Sequence, residues 1–302
     1  MSSPRKDTSR YEDLVARIYS LSSIEELSLL LQPHDATGVL AMMIVAYGDE
    51  SEDKHSFGVS ALLGELPEWV ELERLWRAQL EKEQLPEFHA ADCENAAVGS
   101  PFEFLFREIR DRLQREFYGL INKVRLSGFC TVVWQSAYKA RWSEFQGFRS
   151  GSEGDFTHPY FLAFQHCVES MSLAMNKGGF PASEPIAFVF DQQKELEGRA
   201  KVLYDSLKYS PGSKITYARR LGSLSFDSRF CQIQLQAADS WAYESRKWAS
   251  DVLIRKIPDG ERWQFKLLNE TGRHQISGFP DEKLDELIAF LRNQPVRTER
   301  RA

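Results

Sequence analysis

The chain has 302 residues, of which 42% are hydrophobic and 27% are charged, and its formal net charge is -6. This composition is ordinary for a globular protein with a sizeable core, and the acidic balance disfavours a protein that coats nucleic acid or an anionic membrane through its overall charge. A nuclease is not excluded, because an acidic catalytic cluster lowers the net charge of a protein that binds phosphate elsewhere.

Cysteine usage and the first residues bear on the compartment. The four cysteines are widely spaced and form no CxxC pair, which disfavours a disulfide framework or a structural zinc site. Residues 1–10 are polar and charged, without the apolar stretch of a signal peptide. No run approaches the roughly 18 apolar residues that a membrane span needs. We therefore expect a soluble, cytoplasmic protein without a membrane partner.

The first predicted elements are helical and then extended. Leucine and isoleucine side chains at helical spacing predict a helical N-terminal extension over residues 1–37. Residues 39–47 form an almost unbroken apolar run between two glycines, which favours a central strand buried on both faces. A second apolar run, residues 57–63, follows a short polar connection, so the two runs predict an antiparallel hairpin.

Strands and helices alternate along the rest of the chain. Glycine and serine between residues 145 and 155 predict a loop, and a basic tail ends the chain. The predicted helices are 68–83, 102–123, 158–175, 193–209, 233–249 and 281–291. The predicted strands are 128–134, 185–190, a last strand or strand pair at 214–219 and 224–226, and 263–268.

A hairpin followed by alternating strands and helices indicates a mixed sheet with helices packed on it. We therefore predict one α/β core domain over residues 38–250. The helical extension, 1–37, precedes this core, and a C-terminal α+β extension with the basic tail, 251–302, follows it.

Two of the apolar runs are followed by an acid. Asp49 comes after Tyr47 and Gly48, and Asp191 comes directly after Phe190. In α/β sheets, ligands bind beyond the carboxyl ends of the strands, so acids after two parallel neighbouring strands would meet at one edge. For either acid alone, a turn or a helix cap is the simpler explanation.

A third acid, Asp239, lies on the last core helix. Its neighbours at helical spacing include Leu235 and Ala242, so it belongs to the face that should pack on the sheet. Burial of a carboxylate there is costly unless it is hydrogen-bonded, metal-bound or paired with a cation. The structural alternative to a metal ion is a buried salt bridge to an arginine. Three clustered carboxylates repel one another, and Mg²⁺ or Mn²⁺, which take oxygen ligands, would relieve that repulsion. We predict that Asp49, Asp191 and Asp239 are the ligands of such an ion.

Four motifs resemble those of the bacterial family catalogued as domain of unknown function 3800, over residues 39–249. The resemblance implies an RNase H-like mixed sheet flanked by helices, with an acid on the first strand, on the fourth strand and on the final helix. Glu52 stands where the family's first motif has glycine. The motifs are Asp49-Glu50-Ser51, Phe88-His89-Ala90, Phe190-Asp191 and Leu235-Gln236-Ala237-Ala238-Asp239.

Residues beside these acids are candidates for supporting roles. Glu50 is a further candidate catalytic acid, or points to solvent. His89 is a candidate proton shuttle oriented by Asp92, the alternative being a capping aspartate beside a half-buried histidine. The resemblance makes Glu169 the positional counterpart of a glutamate that RNase H-like enzymes often use, although a surface position explains it better. Candidates for hydrogen bonds that orient the acids are Ser51, Gln236 and Tyr243.

Basic residues of the C-terminal half are candidate phosphate contacts. Basic and aromatic side chains that alternate in this way are typical of a nucleic-acid groove, although a solvated charged surface is the commoner explanation. The main candidates are Lys214, Arg219 and Arg220, and further ones are Lys208, Arg229, Arg246 and Lys247, with Tyr209 and Tyr217 interleaved.

The acids predict a nuclease or a related phosphodiester hydrolase that depends on a divalent metal, with nucleic acid as its partner. The alternative is an inactive sensor or scaffold, in phage defence if the resemblance holds, that binds a partner through the same cleft. A third alternative is a small-molecule phosphohydrolase, which a deep, closed cleft without a basic rim would favour.

Overall fold

The structure, a computed structural model, describes residues 43–146, 156–177, 184–209 and 218–293. The predicted N-terminal extension, most of the predicted 145–155 loop and the basic tail lie outside these ranges, as do Lys214 and Tyr217. Within them, no helix combines the length and the apolar character that crossing a membrane requires.

Six strands form one mixed sheet in the order β5-β4-β1-β2-β3-β6. Strand β1 is antiparallel to β2, and β2 is antiparallel to β3, whereas the β1–β4, β4–β5 and β3–β6 pairs are parallel. The predicted α/β class and the predicted hairpin are confirmed. The strands are β1 (Ile44–Glu52), β2 (Ser56–Glu65), β3 (Ser127–Trp134), β4 (Ile186–Asp191), β5 (Leu221–Asp227) and β6 (His274–Phe279).

The described residues also form ten α-helices. A 3₁₀ turn, Ala218–Arg220, precedes β5, and a π-helical turn, Ala249–Ile254, continues the eighth helix. The helices are α1 (Leu66–Glu83), α2 (Ala90–Asn95), α3 (Arg107–Lys123), α4 (Gln135–Ala140), α5 (Trp142–Phe145), α6 (Pro159–Lys177), α7 (Glu197–Tyr209), α8 (Ile233–Trp248), α9 (Trp263–Leu268) and α10 (Asp281–Arg292).

The sheet separates two hydrophobic cores. Side chains alternate between its faces, so Ile44 and Ala46 of β1 belong to one core and Val45 and Tyr47 to the other. Helices α6, α7 and α10 cover the first face, and α1, α3, α8 and α9 cover the second. Strand β1 is therefore buried on both sides, as its continuous apolar run predicted.

Helix α8 is the central helix of the second layer. All residues from Ile233 to Arg246 are buried, which is the pattern of a helix enclosed on every side. Ala237, Ala238 and Ala242 are fully buried and present no bulky side chain, so the helix can lie close to β1 and β2. The polar residues of this helix are thereby carried into the interior.

Strand β1 extends further than predicted. It continues to Glu52, which pairs with Phe57 of β2, so Asp49 lies inside the strand and not after it. The connection is consequently short. It is closed by the side chain of Asp53, whose Oδ1 accepts the backbone N–H groups of His55 and Ser56 at 2.8 and 2.7 Å.

The C-terminal part differs most from the prediction. The predicted strand at 263–268 is wrong, because these residues form helix α9, in which Phe265 and Leu268 pack inward at helical spacing. Short apolar runs do not distinguish the two structures. The strand of this region is β6, which pairs with β3. Part of the predicted 251–302 extension therefore belongs to the core sheet. Residues 218–219 of the predicted 214–219 strand lie in the 3₁₀ turn.

Candidate active site

Three neighbouring parallel strands carry carboxylates toward their C-terminal ends, at the same end of the sheet. Gly48 is in register with Phe190 across the parallel β1–β4 pair, so the next residues, Asp49 and Asp191, lie side by side. On the other side of β4, Asp227 of β5 is in register with Asp191. Paired residues point to the same face, which here is the face that α8 covers. Asp227 was not predicted, because its strand lacks a long apolar run.

A close contact at Gly48 sets this arrangement. A Cβ atom at this position would lie 2.3 Å from Cε1 of Phe190, well inside van der Waals contact. The absence of a side chain on β1 lets the Phe190 ring of β4 lie across the strand, on the face opposite the acids. Because Asp49 and Asp191 directly follow these two residues, the contact helps to determine the relative position of the acids.

Helix α8 adds the third predicted acid from above the sheet. Asp239 is 5% exposed, and its Oδ2 accepts the N–H of Ala90 at 2.8 Å. Its Oδ1 lies 3.3 Å from Nε2 of His89. The start of α2 thus holds this carboxylate through one backbone and one side-chain group.

A guanidinium lies between the acids. Nη2 of Arg229 donates to Oδ2 of Asp191 at 2.7 Å, and Nη1 is 3.8 Å from Oδ1 of Asp239. Burial lowers the pKa of Arg229, but the charges of Asp49, Asp239 and Asp191 outweigh burial and raise the pKa. The sequence placed Arg229 among candidate phosphate contacts. The structure makes it the counter-ion of the acids.

The carboxylates still repel one another. Asp49 is 2% exposed, and burial, together with the charges of Glu50 and Asp239, raises its pKa well above the usual range, although Arg229 opposes this. The pKa of Glu50 is raised to about 7, mainly by burial and next by the charge of Asp191. The cluster therefore favours binding of a proton or of a further cation.

His89 joins two of the predicted site acids. Its Nδ1 lies 2.8 Å from Oδ2 of Asp92, and its Nε2 faces Asp239. Burial lowers the pKa of His89, but its contacts with Asp239 and Asp92 outweigh burial and raise the pKa to about 9. At neutral pH the ring is an imidazolium, which donates on both sides and orients both carboxylates. His89 could accept a proton only in its neutral form, in which Asp239 would no longer have the imidazolium as its partner.

Glu87 is a further acid that the sequence analysis missed. Among the described residues its Oε2 has no hydrogen-bond partner, although that atom is buried. Burial raises the pKa of Glu87, the charges of Asp92 and Asp239 act in the same sense, and Arg229 and His89 oppose them. Its position two residues before His89 was the available signal.

Glu50 lies on the other face of β1, as expected for the residue after Asp49 in a strand. It is half-buried, and it accepts a hydrogen bond from Nε2 of Gln193. A cavity of about 540 Å³ opens beside it and is also lined by His158. We call Asp49, Asp191, Asp227 and Asp239 the acid row. Glu50 is thus next to the acid row but is not a member of it.

The predicted orienting residues contact neighbours of the acids. Oε1 of Gln236 accepts Trp76 Nε1 and the N–H of Phe88, both at 3.0 Å. Its Nε2 donates to the carbonyl of Arg229 at 3.2 Å, so Gln236 fixes two segments that carry site residues. Oγ of Ser51 accepts Nε of Arg246 at 3.1 Å.

Tyr243 lies one turn beyond Asp239 on α8. Its hydroxyl accepts Nζ of Lys247 at 3.2 Å. Lys247 is also 3.8 Å from Glu94, and Arg246 donates to Asp53 at 2.7 Å. These cations are therefore engaged by acids outside the row.

Several predicted residues are not brought to the acids. Arg219 and Arg220 precede β5 and so lie at the opposite end of the sheet from Asp227. Arg220 is buried and donates to the carbonyl of Glu184 at 3.1 Å, which is a structural contact. Lys208 donates to the carbonyl of Gly222 at the same end, and Tyr209 is exposed. Glu169 lies on α6, on the other face of the sheet, and accepts Gln165 Nε2 at 2.9 Å.

The donor set suits a divalent cation chemically, but its arrangement includes a competitor. Carboxylate oxygens are the ligands that Mg²⁺ and Mn²⁺ prefer. Across residues 43–146, 156–177, 184–209 and 218–293, no three His, Cys, Asp or Glu side chains are arranged to hold a metal ion. The guanidinium of Arg229 lies between two of the acids.

Comparison with known proteins adds no assignment. No protein-family model, curated protein or solved structure matches this chain. The site is therefore interpreted from its own geometry and charge.

Proposed function

We propose that this protein is a divalent-metal-dependent phosphodiester hydrolase that acts on nucleic acid. The observation that carries the proposal is the convergence of Asp49, Asp191 and Asp239 from β1, β4 and α8. These three positions, on the first strand, the fourth strand and a late helix, agree with the RNase H-like arrangement that the motifs imply. The same agreement supports the proposed kinship with domain of unknown function 3800.

In this proposal Asp49, Asp191 and Asp239 would hold Mg²⁺ or Mn²⁺. The bound ion would supply Lewis-acid activation of water and stabilisation of the leaving oxygen. The chain's own residues prepare the site. The N–H of Ala90 and the ring of His89 hold the Asp239 carboxylate in one orientation.

Cleavage assays on single- and double-stranded DNA and RNA with Mg²⁺ or Mn²⁺ test the proposal. We expect metal-dependent cleavage by the wild type. Loss of an outer partner of a metal ligand typically costs 10–100-fold in activity, so Asp49→Asn and Asp239→Asn, which remove a ligand, should cost at least about 100-fold. Asp251→Asn, which changes an acid paired with Arg255 on the exposed side of the π-helical turn, is the matched control. Full activity in Asp49→Asn, or equal cleavage in the presence of EDTA, would refute it.

A second candidate function is a non-catalytic module that binds its partner through the same cleft. The observation that favours it is the ion pair of Arg229 with Asp191, which partly neutralises the acids without a metal. A ligand that binds only the native state must raise the melting temperature. The second candidate therefore predicts that Mn²⁺ does not raise Tm and that no nucleic acid is cleaved. The hydrolase predicts that Mn²⁺ raises Tm and that nucleic acid is cleaved.

A further inference from the structure

We propose that Arg229 and a divalent cation compete for the same carboxylates, so that the cation binds only when the guanidinium leaves them. This inference rests on the proposed function, because it concerns the metal site of the proposed hydrolase. It explains why Asp49, Asp191 and Asp239 converge although, within the described part of the chain, no three side chains are arranged to hold a metal ion.

The position of the guanidinium carries the inference. Its two terminal nitrogens face different acids, Asp191 at 2.7 Å and Asp239 at 3.8 Å. Its charge also acts on Asp49, the most buried of the three. One guanidinium therefore acts on three carboxylates, and the His89 ring contacts only Asp239 among them. A divalent ion carries twice that charge and accepts oxygen ligands in closer contact, so it would replace the guanidinium on electrostatic grounds.

The surroundings of Arg229 permit its release. Its side chain is 24% exposed, so the head group has a path to solvent. The residue lies on the turn between β5 and α8, and the next residue, Phe230, is 76% exposed. The turn is closed by its own backbone bonds, from Cys231 and Gln232 to the carbonyl of Ser228 at 2.8 and 2.9 Å. Rotation of the Arg229 side chain would leave these bonds and the hydrophobic cores intact.

Glu87 is a further acid on which the Arg229 guanidinium acts. Its buried Oε2 lacks a hydrogen-bond partner among the described residues, and the charges of Arg229 and Asp239 both act on its carboxyl group. A buried polar atom without a hydrogen-bond partner is costly. A cation in place of the guanidinium would give this oxygen a partner of opposite charge.

Mn²⁺ binding to wild type, Arg229→Gln and Arg229→Lys tests the competition, by calorimetry and by Tm in EDTA and in MnCl₂. Arg229→Gln removes the competing charge, so we expect its Kd for Mn²⁺ to be at least about tenfold lower than that of the wild type. Its Tm should be lower in EDTA, because the acids lose their counter-ion, and should rise more with Mn²⁺. Arg229→Lys should lie between the two. Arg255→Gln removes an exposed arginine from a local ion pair and should behave as the wild type.

A purely structural role for Arg229 would lower Tm equally with and without Mn²⁺ and leave Kd unchanged. That result would overturn the competition and leave the hydrolase proposal intact. If neither wild type nor variants bind Mn²⁺, the proposed function fails and the competition fails with it. Should Arg229→Gln not fold, the Kd of Arg229→Lys decides, and a value equal to that of the wild type would overturn the competition.

Discussion

Helix α8 carries two buried carboxylates, Asp239 and Glu244, about one and a half turns apart. Asp239 lies with Asp49 and Asp191 around the guanidinium of Arg229, and His89 is a second cation, between Asp239 and Asp92. These four acids outnumber the two cations, and the Arg229 side chain is 24% exposed. The cluster therefore carries an excess of negative charge.

Glu244 is fully buried, and the charges around it are matched. Its Oε1 accepts the hydroxyl of Tyr118 at 3.3 Å, and its Oε2 is 3.5 Å from Nε of Arg262. Arg262 also pairs with Glu94 at 3.1 Å, and Lys247 lies 3.8 Å from Glu94. Arg107 lies 3.5 Å from Glu94 and pairs with Asp111 at 2.7 Å, so three acids face three bases. Both acids are buried, so the two regions differ in charge balance and in access to solvent and not in burial.

The largest expected effect would come from breaking the matched network. Arg262→Met would leave Glu244 and Glu94 without their main partner, and breaking a buried pair in this way typically costs about 3–5 kcal/mol. Urea unfolding at about pH 8, above the raised pKa of Glu244, would measure the loss. The double variant Arg262→Met/Glu244→Gln should recover a large part of it, because the buried charge is then removed as well. A loss below about 1 kcal/mol would show that the network does not stabilise the fold.

A smaller effect distinguishes the two acids by pH. Burial raises the pKa of Glu244 from its ordinary value of 4.5 to about 7, with Glu94 in the same sense and Arg262, Lys247 and Tyr118 opposing. Because the folded-state pKa is raised, this contribution to stability is present below about pH 4.5 and is lost as the pH rises to about 7.

Glu244→Gln keeps the group neutral at every pH. Relative to this variant, the wild type should lose on the order of 3 kcal/mol between about pH 4.5 and pH 8, as measured by urea unfolding. Arg255→Gln, which alters only an exposed ion pair, should parallel the wild type over the same range. If wild type and Glu244→Gln keep a constant difference in unfolding free energy, Glu244 does not titrate with a raised pKa.

The smallest effect on stability is expected at the cluster of Asp49, Asp191 and Asp239. There a substitution should raise the free energy of unfolding instead of lowering it. Asp49→Asn removes one of the repelling charges and keeps an acceptor for the N–H of Glu50, which the Asp49 Oδ1 binds at 2.8 Å. In EDTA we expect the variant to be more stable than the wild type by about 1–2 kcal/mol, a gain typical of replacing a functional residue. Thermal unfolding in EDTA measures this. A less stable variant would mean that the acid row contributes to the fold in the way the Glu244 network does.

The elements that carry the acids were predictable from local patterns. The apolar run before Asp49 and the run that ends at Phe190 are long enough to identify buried strands, and both were confirmed as β1 and β4. Asp239 was assigned to a helix face rich in alanine, and α8 has this face buried. Periodicity and run length contain this information, because burial of a strand or a helix is set by its own residues.

Other members of the site were not predictable in this way. Asp227 ends a strand in which half-buried and exposed residues alternate after Leu221, so the strand was recognised only in part. Glu87 and Arg229 lie outside regular elements, where no period indicates which side chains face inward. Their charges act on the acids only because separate segments of the chain pack together. Helix α9 was predicted as a strand and strand β6 was not predicted, since six residues contain too few repeats to separate the two periods.

The α/β class, the hairpin and the elements that carry Asp49, Asp191 and Asp239 are predictable from the sequence, because they follow from the spacing of apolar residues. The register that places Asp191 of β4 next to Asp49 of β1, and the position of Arg229 between the acids, are properties of the folded structure only. Register and charge pairing depend on residues far apart along the chain. Their energies are settled only when the strands and α8 pack together, and no local pattern contains them.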